Sequence, residues 1–219
     1  MSLDPFASPR RPLNLDAGHF RRVRGLLTAG RVGATLAGSA WMLLTLAALA
    51  GGGGGGFVAM FAVLAVLAYL GGIITEIVGW FGLRGLDGHR GWATTVAVLL
   101  IVECAWLLLG PLFAALSFRD PTGFGIATGI LVVSRATLLA VGYWARHGAA
   151  ARVAAFAFTL AAIGWLVLIV MLAGDRWRWL GVAIAATIVA ALCEAIGHFA
   201  TGAYFAENRP VPVDVSAFT

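Results

Sequence analysis

The chain has 219 residues, of which 61% are apolar and only 11% are charged, and its formal net charge is +5. This composition excludes an aqueous globular domain over most of the length and indicates an integral membrane protein. The positive charge does not indicate nucleic acid binding, because the arginines cluster at the ends of apolar stretches, where basic residues set the orientation in the membrane.

The first 31 residues form a basic segment that precedes the apolar part of the chain. No cleavable signal peptide is expected, because the first apolar stretch begins too late and runs too long. Residues 15–31 are compatible with an amphipathic helix on the inner leaflet or with a disordered basic tail. In the helical case the side chains toward lipid would be Leu15, Phe20, Val23, Leu26 and Leu27. The arginines of the segment are Arg10, Arg11, Arg21, Arg22, Arg24 and Arg31.

Six long apolar stretches follow, each near the ~20 residues that a helix needs to cross a bilayer. They predict transmembrane helices at residues 32–50, 57–83, 92–117, 123–145, 152–174 and 180–206. Further arginines lie in the second and fourth connections, which places these connections and both termini on the cytoplasmic side. The predicted fold is therefore all-α, with a six-helix transmembrane bundle at residues 32–206 and a cytoplasmic tail at residues 207–219.

An offset of 59 residues relates several positions of the chain. It links Trp106 to Trp165, and it also links the three charged positions Glu76, Arg135 and Glu194. The shared offset predicts three similar helical hairpins, with these three charged residues at equivalent depths in the bundle.

Ionisable residues inside the predicted spans are the candidate functional residues. A charged side chain at mid-bilayer costs at least ~3 kcal/mol on insertion scales, so such a residue usually faces the protein interior. The candidates for a proton relay or for ligand binding are Glu76, Glu103, Arg135, Glu194 and His198. On the last helix the polar residues share one stripe with Thr187 and Thr201, and on the second helix Glu76 shares a face with Tyr69 and two glycines.

Two interpretations of these residues compete. In the first, Arg135 forms a buried salt bridge with Glu103 or Glu194, and the cluster fixes the packing of the helices. In the second, one arginine against three glutamates leaves a surplus of acids. A carboxyl group without a cation at that depth could carry a proton, and His198 would be a second relay group.

The sequence predicts neither a catalytic centre nor a metal site, and the protein is more compatible with a non-enzyme. A bis-histidine haem would need paired histidines at membrane depth, and only His198 lies there. Cys104 and Cys193 each adjoin a buried glutamate, but a free cysteine is an ordinary small buried residue. No cofactor is expected, with a quinone as the alternative.

The arrangement resembles the HdeD family of six-helix membrane proteins, which is associated with acid resistance. The resemblance rests on the three hairpins of about 59 residues, the Arg-rich connections, Gly91-Trp92 at the start of the third helix, and Gly129-Ile130-Leu131-Val132-Val133-Ser134 in the fourth. It covers residues 32–206 and implies a six-helix bundle without catalytic residues. The family pattern does not include the acids Glu76, Glu103 and Glu194.

A second, local resemblance involves the last helix. Glu194-Ala195-Ile196-Gly197-His198, followed by Tyr204-Phe205, is similar to the ending of dimethyl-sulfoxide reductase membrane anchors, with histidine in place of an arginine. This resemblance implies that Glu194, His198 and Arg135 would bind quinol, and that iron-sulfur and molybdenum subunits would be partners.

The sequence is thus interpreted as an accessory or stress-associated integral protein of the bacterial inner membrane. The alternatives are a quinone-reactive anchor subunit of an oxidoreductase and a small proton-coupled transporter. The expected partners are the lipid bilayer and, in addition, other membrane subunits or further copies of the chain.

Overall fold

A computed structural model describes residues 17–50, 55–83, 90–117, 121–173 and 180–207. These residues are helical apart from the short turn at residues 145–148, and no strand occurs among them. The helices are α1 (Ala17–Gly25), a π-helical turn (Leu26–Gly30), α2 (Arg31–Ala50), α3 (Gly55–Leu83), α4 (Arg90–Ser117), α5 (Pro121–Trp144), α6 (Ala149–Ala173) and α7 (Leu180–Glu207).

The helices from α2 to α7 coincide with the six predicted spans, and their ends differ from the prediction by three residues at most. Within the described residues, the five helices α3 to α7 are long and apolar enough to cross a membrane. Their outward faces carry exposed large apolar side chains, such as Leu67, Val102 and Phe199. Because exposure of such a surface to water is unfavourable, these faces are compatible with contact with lipid.

The six long helices form a closed ring in chain order. Each helix packs against the next one along the chain, and α7 packs against α2. At one end of the ring lie the start of α2 and the short turn between α5 and α6, and this end is called the amino-terminal end below. Since the ring is closed, each helix directs one face toward a common interior.

The segment before α2 packs against this ring instead of lying free. Helix α1 contacts α3 and α7, and the π-helical turn contacts α2, α3 and α7. Phe20, Val23 and Leu27 are at most 7% exposed. The expectation that these side chains turn toward lipid is therefore wrong, because they bury their apolar surface against the bundle.

Glycines on α3 allow the first helices to approach closely. A Cβ atom at Gly72 would lie 2.6 Å from the Ala34 Cβ, and one at Gly79 would lie 2.5 Å from the Leu27 side chain. The predicted role of the small residues on the face of Tyr69 and Glu76 is thereby confirmed.

Substitution of Gly72 by alanine is expected to destabilise the protein by about 1–3 kcal/mol, because the added methyl group overpacks the contact with α2. Gly71→Ala is the matched control, since a Cβ atom there would meet nothing within 4 Å. Thermal unfolding of both variants in detergent measures the difference. Equal melting midpoints for the two variants would contradict the close approach of α2 and α3.

Candidate functional site

The ring interior holds the ionisable residues that the sequence singled out. Glu76 lies on α3, Glu103 on α4, Arg135 on α5, and Glu194 and His198 on α7. All five side chains are at most 1% exposed. The structure therefore brings all of the predicted candidates into one buried group.

A sixth charged residue belongs to this group and was not predicted there. The sequence analysis placed Arg31 among the basic residues of the cytoplasmic segment, but Arg31 is 0% exposed and begins α2. The signal that could have revealed it is the surplus of acids, because three buried glutamates beside one arginine call for a second cation. The six residues are called the ion cluster below; they are Arg31, Glu76, Glu103, Arg135, Glu194 and His198.

Arg135 contacts all three carboxylates of the ion cluster. Its Nη2 atom donates to the Glu194 Oε1 atom at 2.6 Å, and its Nη1 atom donates to the Glu76 Oε2 atom at 3.3 Å. Its Nε atom lies 3.6 Å from the Glu103 Oε2 atom. The three residues related by the offset of 59 thus meet directly. Of the three acids, Glu103 lies farthest from the Arg135 guanidinium.

Arg31 pairs with two of these acids, Glu76 and Glu194, from the other side of the ring interior. Its Nε atom lies 2.9 Å from the Glu76 Oε2 atom, and its Nη2 atom donates to the Glu194 Oε1 atom at 2.9 Å. Glu76 and Glu194 are therefore each shared by two guanidinium groups, whereas Glu103 pairs with one. Shared pairing of this kind compensates part of the cost of burying the charges.

Aromatic side chains donate further hydrogen bonds to the carboxylates. The Trp80 indole donates to Glu76 at 3.2 Å, and the Trp165 indole donates to Glu194 at 3.2 Å. The Tyr69 hydroxyl donates to the Glu103 Oε1 atom at 2.6 Å and accepts from the Arg135 Nη2 atom at 3.1 Å. Tyr69 thereby connects Glu103 to the rest of the cluster.

His198 lies at the edge of the ion cluster toward the amino-terminal end. Its Nε2 atom is 3.8 Å from the Glu194 Oε1 atom, beyond hydrogen-bond distance. Within the described residues, neither ring nitrogen has a hydrogen-bond partner. The ring packs edge-on against Phe158, with 5.2 Å between the centroids. At this separation His198 forms an ion pair with Glu194 only if its imidazole is protonated.

The charges of the ion cluster do not balance without one proton. Two arginines face three glutamates and one histidine among the buried described residues. With a neutral histidine and three ionised acids, the cluster would carry a net charge of −1 (2 − 3). An uncompensated charge in the interior of a membrane bundle is costly. One proton, on a carboxyl group or on His198, makes the cluster neutral.

A layer of aromatic rings closes the amino-terminal end of the interior. Trp80 contacts Trp92 with 4.7 Å between the centroids, and Tyr143 stacks on Phe158 at 6.0 Å. Further rings of this layer are Tyr204 and Phe205. At its rim the Arg146 guanidinium lies 3.8 Å from the Trp92 ring centroid and donates to the Gly142 carbonyl. Partial burial lowers the pKa of Arg146.

On the opposite side of the ion cluster lies a cavity of about 270 Å³ that is partly open to the surroundings. Tyr69 and Trp165, which bond to the carboxylates, line its wall. The remaining wall consists mainly of small and aliphatic residues from α2 to α6, such as Gly38, Val132 and Leu168. The ion cluster thus lies between a ring-filled end and an open space.

The predicted stripe on the last helix is confirmed. Thr187, Ala191, Glu194, His198, Thr201 and Phe205 are all at most 3% exposed. The two cysteines do not belong to this buried face, because Cys104 and Cys193 are free thiols of intermediate exposure.

Comparison with models of protein families, with curated proteins and with solved structures gave no significant match. The resemblances to the HdeD family and to the dimethyl-sulfoxide reductase anchors therefore stay predictions from short motifs.

Proposed function

We propose that this protein is a small proton-coupled membrane protein whose ion cluster holds and passes on a single exchangeable proton. The observation that supports the proposal is the charge count, since two buried arginines face three buried glutamates and one histidine without hydrogen-bond partners. A cluster that only fixed packing could reach neutrality with equal numbers of both charges. The additional acid and the histidine are the groups that a proton relay requires.

Glu103 is the residue that we assign to hold the proton. It pairs with only one arginine, at 3.6 Å, and its Oε2 atom accepts no hydrogen bond from the described residues. Glu76 and Glu194 each pair with two arginines at closer range. Because a carboxylate gains most from close cations, the least paired acid is the one that keeps a proton at lowest cost.

A continuous series of contacts connects Glu103 to His198. Glu103 accepts from the Tyr69 hydroxyl, which accepts from Arg135, and Arg135 donates to Glu194, which lies 3.8 Å from the His198 ring. Because an arginine does not release its proton, Arg135 positions the two ends of this series and does not itself carry the exchangeable proton. Tyr69, which bonds to Glu103, lines the cavity, and His198 packs against Phe158 of the aromatic layer. The two ends of the series therefore lie toward opposite ends of the bundle.

The quinone alternative is less well supported by the geometry. A quinol ring bound by Glu194, His198 and Arg135 needs a space next to all three. The cavity beside the ion cluster is lined by Tyr69 and Trp165 and by none of those three residues.

We further propose that the protein lies in the bacterial inner membrane. The arginine distribution predicts that both of its termini lie in the cytoplasm.

Infrared spectroscopy of the purified protein tests the proton assignment. At neutral pH we expect the carbonyl band of one protonated carboxylic acid, which shifts when the protein is transferred to D₂O. Glu103→Gln should remove this band. Glu207→Gln is the control, because Glu207 is an exposed acid at the end of α7 and should leave the band unchanged. A wild-type spectrum without such a band at neutral pH would contradict the assignment of the proton to Glu103.

A further inference from the structure

The cavity beside the ion cluster is large enough to hold a small ligand. It is formed by residues from α2 to α6 and measures about 270 Å³. An apolar cavity of roughly 150 Å³ holds one benzene molecule. The space is therefore large enough for one aromatic ring with substituents.

One polar group in the cavity wall lacks a partner. Thr35 is 2% exposed, and its Oγ1 atom has no hydrogen-bond partner within the described residues. Buried threonines elsewhere in the bundle donate to the carbonyl one turn back, as Thr187 does to Ala183 and Thr201 to Gly197. Thr35 makes no such bond. Because a buried hydroxyl group without a partner is unfavourable, this atom indicates a missing hydrogen-bonding group in the cavity.

The walls define the chemistry of the missing group. Apart from Thr35, Ser39 and Thr128, the described lining residues are apolar or aromatic, and none of them is charged. Thr128 already accepts a hydrogen bond from the Trp106 indole at 3.1 Å. The aromatic rings of Tyr69 and Trp165 suit contact with a flat ring. A charged ligand would lose its hydration here without gaining an ion pair.

We infer that the cavity binds a neutral aromatic molecule with a single hydroxyl group, a ligand of the phenol class, whose hydroxyl pairs with Thr35. The ring lies between the aliphatic wall and the side chains of Tyr69 and Trp165. This inference goes beyond the proposed function, since binding in the cavity requires no transfer of a proton.

The test uses 4-bromophenol as the probe and the full chain in phosphatidylcholine nanodiscs. Equilibrium dialysis against empty nanodiscs should show one saturable site per chain. Bromobenzene, which lacks the hydroxyl, should bind about fivefold more weakly, the effect of one hydrogen bond. This difference should vanish in Thr35→Val and persist in Thr95→Val, since Thr95 is exposed and bonds to its own helix.

Two further variants locate the site. Ala65→Phe and Ser39→Leu fill the cavity from α3 and α2 and should both abolish saturable binding, whereas Ser134→Leu on the outer face of α5 should retain it. The inference is overturned if the wild-type protein shows no saturable site. A lipid chain that fills the cavity would give this result. The inference is also overturned if binding survives in both filled variants, or if the preference for bromophenol persists in Thr35→Val. The infrared test of Glu103 is separate, so the two proposals can fail independently.

Discussion

Replacing Arg31 by alanine is expected to destabilise the folded protein by about 3–5 kcal/mol, the cost of breaking a buried ion pair from one side. The Arg31 guanidinium lies 2.9 Å from both Glu76 and Glu194. Its loss leaves one arginine against three acids in a site that water does not reach. The melting midpoint in detergent and the yield of monodisperse protein measure the effect.

Arg22→Ala is the matched control for this prediction. Arg22 belongs to the same basic segment but is exposed. Its loss should change the stability by less than about 0.5 kcal/mol, as is usual for a surface position. If both arginines could be replaced with equally small effects, Arg31 would be a topogenic residue at the membrane surface, as its sequence position suggested, and not a member of the ion cluster.

Substitution by glutamine is expected to change the stability very differently at two of the acids. Glu103→Gln should leave the stability nearly unchanged, because glutamine resembles the protonated carboxyl group and still accepts the hydrogen bond from Tyr69. Glu76→Gln should destabilise the protein by about 3–5 kcal/mol, because it removes the charge that two arginines share. Thermal unfolding of both variants, each at neutral pH, measures this contrast.

The contrast between the two variants separates the interpretations of the cluster. If Glu103→Gln proves as damaging as Glu76→Gln, Glu103 is ionised in the folded protein and the proton must lie elsewhere in the cluster. His198→Gln then serves as the second variant, since a protonated His198 would pair with Glu194, and its loss would destabilise the protein in turn.

The helices were largely predictable from the sequence, for a simple physical reason. A helix that crosses a bilayer needs an apolar stretch of fixed length, and each of the six stretches ends near an arginine, a glycine or a proline. The stripe of Thr187, Glu194 and His198 was likewise predictable, since helical spacing places these residues on one face.

The composition of the ion cluster was predictable only in part. The offset of 59 residues placed Glu76, Arg135 and Glu194 at one level, and Arg135 donates to both acids in the structure. The surplus of acids indicates a second cation, but it does not identify Arg31 as that cation, because an arginine at the start of a span has the same pattern whether it faces water or the bundle interior. Its burial depends on how the segment before α2 packs between α3 and α7, which is a tertiary effect.

The cavity and the unpartnered hydroxyl of Thr35 were not predictable at all. Five helices line the cavity, and its volume depends on their mutual tilt and separation. Helical spacing shows which residues face inward but not how far apart the helices stand.

The position of Arg31 also constrains the order in which the protein can be made. Its hydrogen-bond partner Glu194 follows 163 residues later in the chain. During synthesis α2 is therefore made before the last acid of the cluster exists, and Arg31 must be kept solvated or paired with Glu76 alone until α7 has been made and packed. A chain that stops short of α7 would lack one of the two carboxylates that pair with Arg31 and would keep this arginine incompletely neutralised.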